Sequence, residues 1–421
     1  HELKLELSAA KLWWPIGHGD QALYTVEVSA AAAGEVQQVT RRTGVRKIDV
    51  DQSAHPVEGQ YFTLKVNDRP IFCKGGNWVP PDMLYTSVEP ERYQRLVDLA
   101  VEANFTMLRV WGGGLFLDEG VCSACDEVGL LIWHDLLFAC SKYPGDDPAF
   151  VLEVRREVMH NLRELAHHPS MAVWCGNNEI EWGDWGWGYD NWKSTHPHYA
   201  IFHRDLPAIA QDEAPHVFYW RSSPYSPNFE HPNDPTVGDQ HPWTVTLQTP
   251  GGSEWWDYRT FVDRFPNEGG VLGSSPITTL KQFLPEDERS LYSPSWVHHD
   301  NPYATMDSIP GAPGHAYQTV TLWTGRDPRD MTIEDYAFTS GLLQADGLRE
   351  YISNFRRRMF SSASAIFWMY NDSWPVTNGW TIVDYYLRKK LAFHPVRKAF
   401  QPVTVVVAEE SEGVKVFGVN D

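Results

Sequence analysis

The chain has 421 residues, 55 acidic against 35 basic side chains for a formal charge of −20, and 42% apolar composition. That length exceeds one small module and suits a large barrel or two to three domains. With 21% charged and 13% aromatic residues it is neither disordered nor a coiled coil. No apolar run reaches the roughly 18 residues of a membrane span, and the acidic balance argues against nucleic acid, so a soluble protein with neither partner is expected. Nineteen tryptophans, beside 18 tyrosines and 19 phenylalanines, exceed what a core needs. Flat apolar faces carrying a polar handle suit sugar rings, which makes carbohydrate the first substrate class to test.

The opening HELKLELSAA has no initiator Met, no basic n-region and no apolar h-region, and reads as an excised piece of a longer protein. Cytoplasmic and periplasmic or secreted locations both remain open on that basis. LYTVEVSAAA and VTRRTGVRKIDV alternate apolar and polar residues around a small-residue turn, predicting the end of a β-sandwich over residues 1–51. From 52 to 401 short apolar runs alternate with amphipathic stretches. The runs are PIFCKGGNW, FTMLRVWGGG, LLIWHD, MAVWCGNNE, VFYWRSSP, FPNEGG and AIFWMYND, and the predicted helices are Pro90–Ala103, Asp118–Val128, Pro148–His167 and Glu334–Met359. Repeated βα units predict an α/β fold, a (β/α)8 TIM barrel with long active-face loops. The Pro- and Gly-rich stretch 221–330 is assigned to those loops. QPVTVVVAEESEGVKVFGVND predicts two strands around an EG turn, the start of a following β-sandwich over 402–421.

In such a barrel function sits where strands end. The polar or aromatic residues closing the runs are Lys74, Asn77, Trp111, His134, Asp135, Asn178, Glu179, His241, Glu268, Asn371 and Asp372. Helix capping explains Asp135 and Asn371 equally well. Glu179 and Glu268 stand out, because hydrolysis of a glycosidic bond needs one carboxyl to protonate the leaving oxygen and one to attack or activate water. Trp182, Trp185, Trp187, Tyr189 and Trp192 follow the first; Trp243, Trp255, Trp256 and Tyr258 precede the second, and all are expected to line a cleft. The five cysteines imply no disulfide framework, and Cys122 and Cys125 read as buried packing residues. His167-His168, His298-His299 and His134 offer no HExxH or HxH spacing, and no phosphate-binding glycine motif occurs. No metal and no organic cofactor is expected in the reaction; a structural ion on surface carboxylates stays open.

WCGNNE (174–179), LRVWGGG (108–114), WHD (133–135), GDQHPW (238–243), FPNEGG (265–270) and NDSWPV (371–376) together resemble glycoside hydrolase family 2, in its β-mannosidase branch. KLWWPIGHGDQALYTVEV and RRTGVRKIDV resemble the immunoglobulin-like domain that precedes the barrel in that family. The resemblance implies a retaining, double-displacement glycosidase, an exo-β-mannosidase releasing terminal β-mannose from the non-reducing end. It implies Glu179 as acid/base and Glu268 as nucleophile. Asn178 would bond the sugar 2-hydroxyl, Trp111 and Trp374 would wall the −1 subsite, and Asn77, Trp78, Asp135, His241 and Trp243 would complete the binding set. An exo-β-glucosaminidase, an endo-β-mannosidase on glycans and a non-catalytic carbohydrate-binding protein are the alternatives. Gly269-Gly270 after Glu268 and Pro242 after His241 depart from the family pattern. The branch also takes part of its sugar pocket, including a carboxylate, from an N-terminal β-sandwich outside this chain.

Overall fold

The computed structural model describes residues 5–32, 35–186, 196–227, 230–245, 254–303, 315–410 and 413–421. At the start, β1 (Tyr24–Ala32) and β2 (Glu35–Thr43) form an antiparallel hairpin pairing Tyr24 with Thr43. β3 (Ile48–Asp51) leaves that hairpin and pairs antiparallel with β4 (Thr63–Val66). This pairing straddles the boundary expected after residue 51. Phe62, Leu64 and Val66 are buried against the parallel sheet, and the Phe62 ring meets Trp133 and Phe265. The β-pattern of the first fifty residues therefore continues into the sheet's own core.

That sheet has six parallel strands: β5 (Cys73–Trp78), β6 (Met107–Val110), β7 (Leu131–Asp135), β8 (Met171–Cys175), β9 (Phe218–Trp220) and β10 (Ser364–Phe367). Their order is β9-β8-β7-β6-β5-β10, so the last of the six along the chain pairs with the first. Both faces are buried, as continuous apolar runs predict. In β7, Leu131 and Trp133 enter one core cluster and Ile132 the other. Two further segments lie on the side where β9 and β10 do not meet. The Gln240 amide donates to Phe265 O at 3.0 Å and Asn267 N to Gln240 O at 2.7 Å. Ala363 N donates to Arg264 O at 2.8 Å and Ile366 N to Pro266 O at 3.1 Å. Neither segment is a regular strand: Pro266 has no amide to give a ladder, and Gly269 sits at φ +126°.

The helices that follow the strands start where capping chemistry puts them. α1 (Pro90–Glu102) opens on proline; α2 (Glu119–Val128) is capped by Asp118 and stops at left-handed Gly129; α3 (Pro148–Leu165) is capped by Asp147. α4 (Ile180–Gly186) begins directly after Glu179, and α5 (Leu206–Glu213) leads to β9. The expectation of loops alone over 221–330 is corrected, since α6 (Ile277–Phe283), α7 (Pro294–His298) and α8 (His315–Thr324) lie there. They are short and proline-flanked, and carry too little periodicity to be seen in sequence. α9 (Ile333–Arg356) is capped by Thr332, and α10 (Phe393–Ala399) packs on it. The chain ends in an antiparallel hairpin, β11 (Val403–Glu410) with β12 (Gly413–Asn420). Asp421 ties it to the sheet through Lys74 and to α9 through Arg356.

Candidate active site

Glu179 and Glu268 meet at the ends of the parallel segments. One carboxylate oxygen from each, with a nitrogen of His241, forms a buried group whose atoms all lie within 4.8 Å of one another. Glu179 takes φ +59°, a left-handed conformation unfavourable for a side chain with a Cβ. It is held there by its amide, which donates to Ser223 O at 2.7 Å, and by Gly183 N of α4, which donates to Glu179 O at 2.8 Å. The Asn178–Ser223 parallel bridge fixes the preceding residue. The turn thus projects the carboxyl over the strand ends. The Glu268 backbone is backed by the Tyr351 hydroxyl of α9, which has one proton to give between Ile366 O at 2.6 Å and Glu268 O at 3.0 Å.

The residue that distinguishes the two carboxyls is Arg109, in the middle of β6 and fully buried. One guanidinium nitrogen donates to Glu268 Oε1 at 2.6 Å and Asn77 Oδ1 at 2.8 Å. The other donates to Asp135 Oδ2 at 2.8 Å and Asn178 Oδ1 at 2.7 Å. Trp243 Nε1 donates to Glu268 Oε2 at 3.3 Å. Glu268 is therefore equipped to stay ionised. Glu179 has weaker company: the Cys140 thiol at 3.7 Å from Oε2, and His241 Nδ1 at 2.6 Å from Oε1. His241 is buried, and burial followed by the charge of Arg109 holds its pKa well below the usual value, so the ring is neutral.

The ring's tautomer follows from its other nitrogen. Ser223 Oγ donates its single proton to Asp239 and accepts from Asn267 Nδ2 at 3.1 Å. His241 Nε2, 3.0 Å from that oxygen, is then the donor. Nδ1 is left as an acceptor facing Glu179, which suits a protonated carboxyl. Burial, then the charge of Glu268, raises the Glu179 pKa well above its ordinary value. Burial raises Glu268 too, to about 7, with Arg109 and Trp243 opposing it. The pair can share one proton, and the hydrogen-bond pattern puts it on Glu179.

The other expected site residues divide. Asn178 and His241 touch the carboxyls or Arg109, and Trp243 bonds Glu268 directly. Trp111 packs edge-on to Trp368 and, with Val79, Met83 and Met369, lines a cavity of about 420 Å³. Trp374 is 40% exposed and stacks on His299 at 4.7 Å between centroids. Three expectations are corrected. Trp78 is buried between Tyr93 and Tyr370 in the core, not at the carboxyl pair. Both polar atoms of the Asn77 amide are engaged, with Arg109 on one side and Asn267 O and Phe367 O on the other. Asp135 is fully buried and accepts from Arg109, Trp133 and Gly112. Asn77 and Asp135 support Arg109 rather than offer free contacts.

Among strand-end candidates, Lys74 faces the C-terminal hairpin, and Asn371 donates to Val79 O. His134 is buried and accepts from Leu117 N, while burial raises Asp372 to about 7 with Lys390 opposing. Among the described residues of the two aromatic groups, Trp255 and Tyr258 are core, and Trp185 and Trp256 are the well-exposed ones. Trp187, Tyr189 and Trp192 lie outside the described residues. Sequence reasoning missed Arg109 and Cys140.

Fold and site together define an α/β protein with a buried carboxyl pair at the ends of a parallel sheet. The family model for glycosyl hydrolases family 2 matches residues 1–46. β-Mannosidase B of Aspergillus fumigatus is 34% identical over 419 residues, covering 96% of this chain and 48% of that protein. The Aspergillus niger β-mannosidase B is 33% identical, covering 95% and 47%. A crystal structure of β-D-mannosidase from Dictyoglomus thermophilum matches with a TM-score of 0.88 at 32% identity, over 98% of this chain and 49% of that one. The exo-chitosanase of Amycolatopsis orientalis shares the fold at a TM-score of 0.72 and 18% identity, over 96% of this chain and 46% of that one. The match to glycosyl hydrolases family 2 thus lies in the first 46 residues, and the similarity to the β-mannosidases runs along nearly the whole chain. The chain spans about half the length of the curated relatives it matches.

Proposed function

We propose that this chain carries the catalytic machinery of a retaining exo-β-mannosidase, with Glu268 as nucleophile and Glu179 as acid/base. The observation that carries the reading is the close carboxyl pair with a cation on one member: oxygens within 4.8 Å, and Arg109 bonded to Glu268 alone of the two. That spacing fits the retaining arrangement, in which no water stands between the carboxyls. Ionised Glu268 attacks the anomeric carbon as the glycosidic C–O bond breaks, and Glu179 passes its proton to the departing oxygen. Glu179, now a carboxylate, takes a proton from water, whose oxygen displaces Glu268 and frees the sugar with its configuration retained. Asn178 is assigned to the sugar 2-hydroxyl, and Trp111 and Trp374 to the pocket wall.

We assign the sheet to a (β/α)8 barrel in which the segments around 240 and 265 serve as sixth and seventh strands. The pairing of β10 with β5 and the bonds from Gln240 through Pro266 to Ile366 support closure. The barrel is proposed to span 52–401, with β-sandwich segments at 1–51 and 402–421. The pairing of β3 with β4 across residue 51 favours moving the first of these boundaries towards 47. The greater length of the relatives supports a pocket completed by a β-sandwich outside these residues. The test is a panel of aryl β-glycosides on the full-length protein. Highest kcat/KM on the mannoside supports the proposal; preference for the glucosaminide overturns the sugar, and no turnover on any sugar overturns the enzyme.

A further inference from the structure

A second cluster of metal-ligating side chains lies just beyond Glu179, on residues the reaction does not use. Asp184, on α4, is buried to 2% exposure and His198 to 1%. One ligand atom each from Asp184, His196 and His198 lies within 4.8 Å of the other two. His198 Nε2 is 2.8 Å from Asp184 Oδ2, and His196 Nε2 is 3.8 Å from Asp184 Oδ1. The two imidazole planes are nearly parallel, 6° apart, with centroids separated by 5.1 Å. His196-Pro197-His198 is an HxH spacing, which the sequence reading passed over.

The second pair points to a ligand. Asp184 Oδ1 and His196 Nε2 are both buried and have no hydrogen-bond partner. At 3.8 Å they are too far apart to bond each other. Leaving two such groups buried and unpaired is costly, so the arrangement needs something between them. An ion about 2.0–2.1 Å from each would span that gap. Two imidazoles and one carboxylate are the donors of a three-ligand zinc site, the fourth position going to water.

We propose that Asp184, His196 and His198 bind a divalent cation of the zinc type. The ion ties α4, whose Gly183 amide holds Glu179 O, to the segment at 196–198. That segment is itself packed tightly on the loop before α3: a Cβ placed at Gly145 would stand 2.3 Å from Pro197 O. The site is structural, separate from the residues that do the chemistry, and steadies the turn carrying Glu179.

The test uses full-length protein stripped with chelator, desalted and titrated with zinc chloride. Bound metal is measured by mass spectrometry after gel filtration, and the thermal midpoint is followed alongside. The expected result is one zinc retained per chain and a rise in Tm of roughly 3 °C at saturation. Cobalt in its place gives visible d–d absorption. His196→Ala removes a nitrogen with no hydrogen-bond partner in the metal-free protein, so its own Tm stays near the metal-free value while zinc and its Tm response are lost. Asp184→Asn loses zinc as well. Substoichiometric metal in the wild type overturns the proposal. So does equal zinc retention by His196→Ala, which would place the ion elsewhere, for instance at Glu119, His167 and His168.

Discussion

If Glu268 carries the charge and Glu179 the proton, removing that charge has a calculable effect on Glu179. Two unit charges no more than 4.8 Å apart interact by at least about 3.5 kcal/mol at an effective dielectric of about 20. That repulsion adds to burial in holding the Glu179 pKa well above its ordinary value. Glu268→Gln keeps the shape and burial and deletes the charge. The pKa of Glu179 should then fall while remaining above a free carboxyl, because burial, the larger cause of its rise, persists. The measurement is a carbon-13 titration of the glutamate carboxyls, with Glu179→Gln identifying the resonance. A Glu179 pKa that stays put or rises in Glu268→Gln would refute the reasoning, since the two charges would then not see each other.

Glu179→Ala should form the glycosyl-enzyme from an activated aryl mannoside and stall, with azide releasing the β-azide; Glu268→Ala with azide should give the α product. The sugar azide anomers seen by NMR check this, and the reverse pattern swaps the roles. Arg109→Met strips the counter-charge from Asp135 and Glu268 together and should cost about 3–5 kcal/mol of stability, read from urea unfolding; a loss below about 1 kcal/mol would mean the pairs contribute little. Trp374→Ala, at an exposed ring, should raise KM with little change in Tm, and an unchanged KM would remove Trp374 from the pocket. Asp263→Asn tests a buried carboxyl raised by burial to about 7. A raised folded pKa means stability is lost as pH rises from the unfolded value towards 7. The asparagine variant should therefore melt higher than wild type at pH 8 and equally at pH 4, by calorimetry.

How much of this was legible in the sequence depended on what each residue's neighbours forced. The parallel strands were readable because a strand buried on both faces is a continuous apolar run, as in MAVWC and LLIW. The segments around 240 and 265 were not, because Pro242 and Pro266 remove the amides that a regular ladder would use. Glu179 and Glu268 stood at the ends of such runs, where a charged group has only the site to face. Arg109 carried an equal signal that went unused: a cation between Leu108 and Val110 must have buried partners. Trp78 was misread for want of alternation. Asn77 and Trp78 are adjacent, so a strand that turns the first inward must turn the second towards α1 and the outer core. The pairing of Asp184 with His196 and His198 depends on where α4 ends, which no local pattern encodes.

The roles of the two glutamates are likewise a property of the surroundings rather than of the residues. Both are buried carboxyls, and burial alone would protonate both. One guanidinium cannot serve two masters at this distance and reach Asp135 as well. Its two terminal nitrogens are committed to Glu268, Asn77, Asp135 and Asn178, and neither bonds Glu179. What faces Glu179 is a neutral imidazole whose lone pair is turned towards it by Ser223 and Asp239. Asp239 sets that direction, and although burial raises it to about 6 it is mostly ionised at neutral pH. Exchanging the roles would require an ionised Glu179 with no cation beside a protonated Glu268 against Arg109. Each half of that state is unfavourable, so the chain of contacts from Asp239 to Arg109 orients the proposed reaction before any sugar arrives.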